Sequence, residues 1–396
     1  MTPIVRGIAE GASPRAKRGC EKESDREKGE EVCETPMIIE SVESRDYQIR
    51  TADNVLKAVE EGHNHILIEA PTGSGKTVVA LSIAQELYNR YGYTTGWCAM
   101  RKHLLHQARE ENDRFFGLEH IKFFSMFDKN PPKVDLLIDD EGHHSVTESS
   151  VTIFQKAAPK IHLGLTATPF RTDRMKLCFS KVVKDAGIRS LIDLGYLAPY
   201  QHYTFERPWT PENIADIYVK DVDRWGKTVI YFLTRVECEA CARDIRAAGV
   251  SCEVVWANSD QEAQIAAFMR GEVSVLLNML ILTEGFNCPD LKTVMVRPGS
   301  KGPTIQMTGR VLRQAPGKQF AQVVQNNDTK WPFMRTASPD QKYVLNAHGE
   351  WEDRDLVSKA ISTASRNLMM SIPRINVAMP KYIGKHRKKA RVFGRD

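Results

Sequence analysis

The alternation of apolar and polar positions predicts strands separated by helices along most of the chain. Helical spacing of apolar residues is clearest in YQIRTADNVLKAVEEG, where Ile49, Ala52, Val55, Leu56 and Val59 would share one face and Gly62 would end the helix. The strand-length apolar runs are HILIEA, TTGWCAM, HIKFFSM, VDLLIDD and IHLGLTAT, followed by KTVIYFL, SCEVVWA, VSVLLNML, KTVMVRP and FAQVVQN. Buried strands that alternate with helices are typical of parallel sheets with crossover helices. The predicted fold class is therefore α/β.

Changes in this pattern divide the chain into four segments. Residues 1–36 hold too few large apolar side chains to offset the entropy of ordering, which predicts a disordered charged arm. The alternation pauses in DLGYLAPYQHYTFERPWTP, so a boundary is expected near residue 198. We expect one α/β domain over residues 37–198, a second over 199–330, and a C-terminal extension with a basic tail over 331–396.

Composition narrows the class of protein. Apolar residues make up 42% and charged residues 27%, which is typical of a soluble globular protein. The apolar stretches are too short or too interrupted for a membrane span or a secretory signal, so an unanchored cytoplasmic protein is expected. Cys238 and Cys241 have C-x-x-C spacing inside a predicted helix, with no second ligand pair nearby, which favours structural thiols over zinc.

The net charge of +5 is concentrated at the C-terminus. Residues 373–396 contain eight Lys or Arg and one Asp, and the rest of the chain is close to neutral. Such a run contacts nucleic-acid phosphates in some proteins and is a solvated end in others, and the sequence leaves both open.

The segment EAPTGSGKT lies between a predicted strand and a predicted helix. This is the context of a phosphate loop, in which glycines turn backbone N–H groups toward phosphate oxygens at a helix N-terminus. Lys76 would reach the outer phosphates and Thr77 would bind Mg²⁺. Ala70 stands where the common pattern has its first glycine. The predicted nucleotide-binding residues of the loop are Pro71, Thr72, Gly73, Ser74, Gly75, Lys76 and Thr77.

A second acidic motif follows in VDLLIDDEGHH. An apolar strand that ends in Asp140 and Glu141 delivers carboxylates to the edge of a parallel sheet where ligands bind. Asp140 could hold Mg²⁺ through water, and Glu141 could orient and deprotonate the attacking water. Together with Lys76, these residues predict hydrolysis of a nucleoside triphosphate.

Further motifs occur in a recognisable order over residues 40–325. They are RDYQIR, AMRKHLLHQ, GLTATPFR, ILTEGFNCPDL and QMTGRVLRQ. Together with the phosphate loop and the acidic motif, these segments resemble the motifs of superfamily 2 helicases and translocases. The resemblance is to the DExH branch in particular, which includes restriction-enzyme motor subunits and phage-encoded helicases of the UvsW type. The resemblance implies two tandem RecA-like domains with ATP bound between them.

The same resemblance implies roles for single residues. Gln48 would read the adenine base beside Arg45 or Tyr47. Coupling between nucleotide state and domain orientation would fall to His143, Thr166 and Thr168, with capping of a local turn as the alternative role for the two threonines. Nucleic acid would contact Arg101, Lys102, Arg171, Arg235, Thr283 and Gly285, and Gly285 would also bind the nucleotide. Two departures are Gly142, where alanine is common, and Asn287, where Asp is common.

The segment QMTGRVLRQ resembles motif VI of this superfamily and implies a catalytic contribution from the second domain. Hydrolysis develops negative charge on the γ-phosphoryl oxygens, and a guanidinium from a second domain stabilises it only when the domains close. Arg310 and Arg313 are expected to supply that charge, with Gln306 beside them; ordinary surface salt bridges are the alternative role for these arginines.

The expected function is that of a monomeric ATP-dependent helicase or translocase that uses Mg²⁺ and acts on DNA rather than RNA, the preference for DNA resting on the resemblance. The first domain leaves little room for a strand-separating insertion, so translocation without efficient unwinding is expected. The alternative is a nucleotide-gated clamp that binds nucleic acid and hydrolyses ATP poorly. A small-metabolite kinase fits poorly, because the second domain carries QMTGRVLR.

Overall fold

Two β-sheets organise the part of the chain that the computed structural model describes, residues 45–142, 148–169, 178–279 and 287–354. The first sheet is entirely parallel, and its strands lie in the order β3 (121–125), β2 (95–99), β4 (136–140), β5 (161–166), β1 (65–69) and β6 (181–183). The strands of the second sheet lie in the order β14 (351–353), β13 (341–345), β7 (200–205), β12 (321–326), β11 (293–296), β8 (228–231), β10 (275–278) and β9 (252–255). Its one antiparallel pair is β13 with β14. We call the parts built on these sheets the first and second lobes.

The first lobe carries helices between its strands. Its strands are β1 (His65–Glu69), β2 (Thr95–Ala99), β3 (Ile121–Ser125), β4 (Leu136–Asp140), β5 (Ile161–Thr166) and β6 (Lys181–Val183). Its helices are α1 (Asp46–Glu60), α2 (Lys76–Tyr91), α3 (Lys102–Phe115), α4 (Glu148–Ala157) and α5 (Ile188–Asp193).

The second lobe repeats this alternation and adds a hairpin at one edge. Its strands are β7 (Tyr200–Phe205), β8 (Thr228–Tyr231), β9 (Cys252–Val255), β10 (Val275–Asn278), β11 (Thr293–Val296), β12 (Ala321–Asn326), β13 (Gln341–Leu345) and β14 (Trp351–Asp353). Its helices are α6 (Pro211–Val219), α7 (Val222–Trp225), α8 (Arg235–Ala247), α9 (Gln261–Arg270) and α10 (Lys301–Gly309), with a 3-10 turn at Phe333–Arg335.

The predicted α/β class with two parallel-dominated sheets is confirmed, and each of the ten apolar runs contains a strand. Strand β7 was missed, because His202 and other polar residues interrupt its apolar pattern, although it lies inside the second sheet. The hairpin β13–β14 was also missed, and it extends the second sheet into the segment expected to be a C-terminal extension. The proposed domain boundaries remain predictions.

Helix α1 forms where it was predicted, but its buried face is rotated. Ala52, Val55 and Leu56 are buried as expected, whereas Ile49 and Val59 are only half-buried. Tyr47 and Gln48 are buried instead, because they contact the phosphate loop rather than the sheet.

A hydrophobic cluster links the lobes near the site described below. Tyr47 of α1, Leu191 of α5 and Leu197 in the connection pack with Val311 and Leu312 of the second lobe. Cys238 and Cys241 pack in the core on the buried face of α8, where burial raises the pKa of the Cys238 thiol to about 12. Across the described residues, no helix is both long and apolar enough to cross a membrane.

Candidate nucleotide-binding site

The phosphate loop connects β1 to α2 in a conformation that requires glycine. Gly73 has φ +82° and Gly75 has φ +78°, both in the left-handed region that disfavours other residues. A Cβ atom at position 75 would also lie 2.4 Å from Nε2 of Gln48. The glycines therefore allow the loop to turn and allow α1 to pack closely against it.

Side chains of α1 hold this loop from one side. Gln48 Nε2 donates to the carbonyl oxygen of Ser74 at 3.0 Å, while its Oε1 accepts from the Arg45 N–H at 3.0 Å. The Tyr47 hydroxyl donates to the same Ser74 carbonyl. The Gln48 amide therefore braces the loop, and Arg45 presents its guanidinium 4.6 Å from the ring centre of Tyr196.

The acidic motif lies at the end of β4, two strands away from β1 in the sheet. Glu141 has φ +65°, an uncommon conformation for a residue with a side chain. Burial, and then the neighbouring Glu141 carboxylate, raise the pKa of Asp140. Gly142 follows against Gly164, and a Cβ at position 142 would lie 2.9 Å from the Gly164 Cα, which explains why alanine is absent here.

The second lobe contacts this loop directly. Gly309 at the end of α10 faces Thr72 so closely that an added Cβ would lie 3.0 Å from the Thr72 Cβ. A Cβ at Gly73 would lie 3.1 Å from Cγ of Arg313. The turn that carries the arginines is therefore in van der Waals contact with the phosphate loop.

These groups enclose a pocket of about 320 Å³ between the lobes. The predicted residues that line it are Thr72, Gly73, Gly75, Lys76, Thr77, Asp140, Glu141, Arg310 and Arg313. Pro71 and Ser74 of the loop are buried, and Gln48, which is also buried, contacts the loop at the Ser74 carbonyl.

Burial controls the charges in the pocket. It lowers the pKa of Lys76, opposed by Glu141 and Asp140 and reinforced by Arg310 and Arg313. It also lowers the pKa of Arg313 to about 10, with Arg310 contributing repulsion. Three cationic side chains thus face a common space, an arrangement that a polyphosphate would stabilise.

A threonine turn lies beside the pocket and reaches the second lobe. Thr166 Oγ1 accepts from the Thr168 N–H at 3.0 Å, which is the local capping role. Gln306 Nε2 donates to Thr168 Oγ1 at 3.4 Å across the lobes. Thr168 therefore takes part in the capping contact within its turn and in a contact between the lobes.

Sequence reasoning missed part of the lining. Helix α3 contributes Leu104, Gln107 and Glu111, whose i, i+3, i+7 spacing was a usable signal of one helical face. Tyr196 also lines the pocket, but it is distant in sequence from the other lining residues and belongs to no motif. Asn287, which the sequence identified as a departure from the family pattern, lines the pocket as well and accepts a hydrogen bond from Arg313 Nη1.

Three of the predicted nucleic-acid contacts, those within the described residues, lie at helix N-termini beyond β2 and β8. Arg101 precedes α3 and Lys102 begins it. Arg235 begins α8, its guanidinium lies 3.9 Å from the ring centre of Trp256, and it pairs with Glu239 at 3.4 Å. The predictions for His143, Arg171, Thr283 and Gly285 fall outside the described residues, as do those for residues 1–36 and the basic tail.

Family models match both lobes. The model described as "Type III restriction enzyme, res subunit" matches residues 41–131 and 126–171, and the "Helicase conserved C-terminal domain" model matches residues 209–315. These matches contain the phosphate loop and acidic motif in one lobe and motif VI in the other.

Relatives and a solved structure agree with these models. A protein named as a helicase in a Sulfolobus islandicus filamentous virus is 24% identical, over 78% of this chain and 68% of its own. The DNA 3'-5' translocase XPB2 of Sulfurisphaera tokodaii is 30% identical, over 35% of this chain and 34% of its own. The ATP-dependent Type ISP restriction-modification enzyme LlaBIII, solved bound to DNA, shares the fold with a TM-score of 0.55 and 16% identity, over 76% of this chain and 29% of its own.

The chain aligns with only part of the length of these relatives. The chain spans 59%, 68% and 51% of the length of three relatives, from a Lactococcus phage, the Sulfolobus virus and Saccharomyces cerevisiae. The two family models, the helicase relatives and the shared fold agree with the order of motifs along the chain. The chain therefore belongs to the superfamily 2 helicases and translocases.

Proposed function

We propose that this chain hydrolyses ATP in the pocket between its lobes and couples the reaction to movement along nucleic acid. The observation that carries the proposal is the contact of the arginine turn with the phosphate loop, Gly309 against Thr72 and Arg313 against Gly73. One lobe would bind the triphosphate, and the other would complete the site only when the lobes are closed.

The residues present fit a triphosphate with a bound magnesium ion. Left-handed glycines open the loop backbone to phosphate oxygens, and Lys76 lies at the N-terminus of α2, where an anion is favoured. Asp140 is a half-buried carboxylate whose pKa is raised by burial together with the neighbouring Glu141, and a divalent cation would stabilise its charged form. Thr77 and Asp140 would hold the ion, whose chemistry is to neutralise charge on the phosphate oxygens.

The protein groups then have distinct tasks. Lys76 would bind the outer phosphates, while Glu141 would orient the attacking water and accept its proton. Arg310 and Arg313 would stabilise the charge that develops on the transferred phosphoryl group. Because these arginines belong to the second lobe, hydrolysis would require closure of the cleft.

We propose that the nucleic acid along which the chain moves is DNA. The translocase relative is named for DNA, and Arg101, Lys102 and Arg235 are cationic residues at helix N-termini suited to phosphate contacts. Such contacts bind the backbone without reading sequence, as expected for a protein that moves along it.

The test is a steady-state ATPase assay with single-stranded DNA, duplex DNA, forked DNA and RNA. We expect stimulation that is strongest with one of the DNAs and a loss of about 10²-fold or more in kcat for Arg310→Ala. Glu141→Gln should bind ATP and nucleic acid but turn over slowly. Nucleic-acid binding without hydrolysis in the unmodified chain would instead support the nucleotide-gated clamp.

A further inference from the structure

Lys318 contacts backbone carbonyls from two separate segments. Its Nζ donates to the carbonyl oxygens of Pro289 at 3.1 Å, Val311 at 2.5 Å and Arg313 at 3.0 Å. An ammonium group has three N–H donors, so these contacts use all of them. The lysine thus binds protein backbone with its full donor capacity.

The three carbonyls belong to the two parts that fix the arginines. Val311 and Arg313 lie on the turn after α10, and Pro289 lies on the loop that also carries Asn287. Asn287 Oδ1 accepts from Nη1 of Arg313. The loop therefore holds Arg313 at its side chain directly and at its backbone through Lys318.

The surroundings of Lys318 disfavour its charged form. Burial lowers its pKa to about 8, Cys288 and Asp290 oppose that shift, and Arg313 reinforces it. Lys318 is half-buried, and withdrawing an ammonium from water is unfavourable unless its hydrogen bonds are satisfied. The carbonyl contacts provide that compensation and tie the lysine to one conformation of the turn.

The turn has a second attachment on its other side. Leu197 forms an antiparallel bridge with Arg313, and the Ala198 N–H donates to the Leu312 carbonyl at 2.7 Å. These contacts fix the turn to the connection between the lobes. On the side of the loop at Pro289, the polar contacts to the turn come from Lys318 and Asn287, beside the apolar packing of Cys288 in the core.

We propose that Lys318 is a positioning residue that sets the arginine turn so that Arg310 and Arg313 face the phosphate loop. Its effect on turnover rests on the proposed ATPase function, whereas its effect on the turn does not. The two consequences can therefore be measured separately.

Hydrogen exchange of the full chain tests the structural part. Lys318→Met removes every donor, and we expect exchange of a peptide spanning residues 308–317 to rise about tenfold or more. Lys227→Met is the matched control, because Lys227 Nζ donates to Asp290 of the same loop and to the Met269 carbonyl but not to the turn. Equal exchange in both variants would overturn the proposal, and this result does not depend on ATPase activity.

Turnover tests the functional part. We expect Lys318→Met to lower kcat about 10-fold or more while KM for ATP changes less than about threefold, since the lysine acts through the arginines. In a protein that already carries Arg310→Ala and Arg313→Ala, Lys318→Met should not lower kcat any further. A further, additive loss of kcat would contradict the proposal, because it would show that Lys318 acts independently of the arginines. If Lys318→Met does not fold, Lys318→Gln, which keeps two donors, enters the same comparisons with intermediate effects expected.

Discussion

Gln306 of the second lobe donates from Nε2 to Oγ1 of Thr168 in the first lobe, over 3.4 Å. Thr168 also closes the turn with Thr166, whose carbonyl accepts from the N–H of Ala70 at the start of the phosphate loop. One hydrogen bond thus connects motif VI, through this turn, to the loop that would bind phosphates.

Removing this bond should weaken the coupling between the lobes. Gln306→Met keeps the length of the side chain but has no donor, and a neutral hydrogen bond contributes about 0.5–1.5 kcal/mol. We expect the nucleic-acid-stimulated ATPase rate to fall about 3- to 10-fold, and more than the unstimulated rate. Thr168→Val should produce a similar loss, and the double variant should lose no more than either single one. Independent losses in the double variant would contradict the coupling.

Gly309 offers a test of lobe closure. A methyl group at this position would lie 3.0 Å from the Thr72 Cβ, so Gly309→Ala should destabilise the closed state by about 1–3 kcal/mol. We expect kcat to fall about 10-fold with little change in melting temperature, because the open lobes have no such conflict.

Gly302→Ala is the control for this change, since it lies on the same helix with no atom within 4 Å of an added Cβ. Its kinetics should match the unmodified chain. A similar loss in both variants would show that α10 itself, and not its contact with Thr72, was damaged.

Gly75→Ala probes the brace between α1 and the phosphate loop. The new Cβ would displace Nε2 of Gln48 from the Ser74 carbonyl, which should raise KM for ATP several-fold. Gly62→Ala shares the left-handed backbone, with φ +87°, but has no atom within 4 Å. Gly62→Ala should lower the free energy of unfolding by about 1 kcal/mol, because alanine is disfavoured in this backbone conformation, but it should leave KM for ATP unchanged. If Gly75→Ala and Gly62→Ala had the same KM, the brace would have no role in nucleotide binding.

The order of motifs predicted much of this arrangement because the phosphate loop, the acidic motif and the threonine turn lie at strand ends, and parallel strands bring their carboxyl ends to one edge. Asp140 and Lys76 are placed together by the first sheet alone. Gly309 and Thr72 belong to different lobes. The spacing of residues along the sequence could not predict their contact, which only the family resemblance implied.

Other parts were unpredictable for physical reasons. Tyr196 reaches the pocket because the connection between the lobes folds beside α1, and its sequence neighbourhood carries no periodic signal. Lys318 looks like an ordinary loop lysine, since its acceptors are backbone carbonyls that have no sequence signature. The polar residues of β7 obscured a strand that the sheet nevertheless accommodates, in part through side-chain contacts distant in sequence, such as that of His202 Nε2 with Gln325 Oε1.

His202 predicts how stability depends on pH. It is buried in β7 with Nε2 3.0 Å from Oε1 of Gln325, and burial lowers its pKa from 6.5 to about 4. The unfolded chain therefore binds a proton between pH 6.5 and 4 that the folded chain excludes, so stability falls as the pH falls through that range. From pH 7.5 to 4.5 this group should remove about 2–3 kcal/mol from the free energy of unfolding.

The measurement is urea unfolding at pH 7.5 and pH 4.5 for the unmodified chain and for His202→Gln, which cannot titrate. The variant starts less stable, because its side chain fits the site poorly, yet it should lose about 2–3 kcal/mol less over the same interval. All other titrating groups are common to both proteins, so the difference between the two losses isolates His202. Equal losses would mean that His202 binds its proton in the folded state as readily as in the unfolded state, which its burial beside Gln325 opposes.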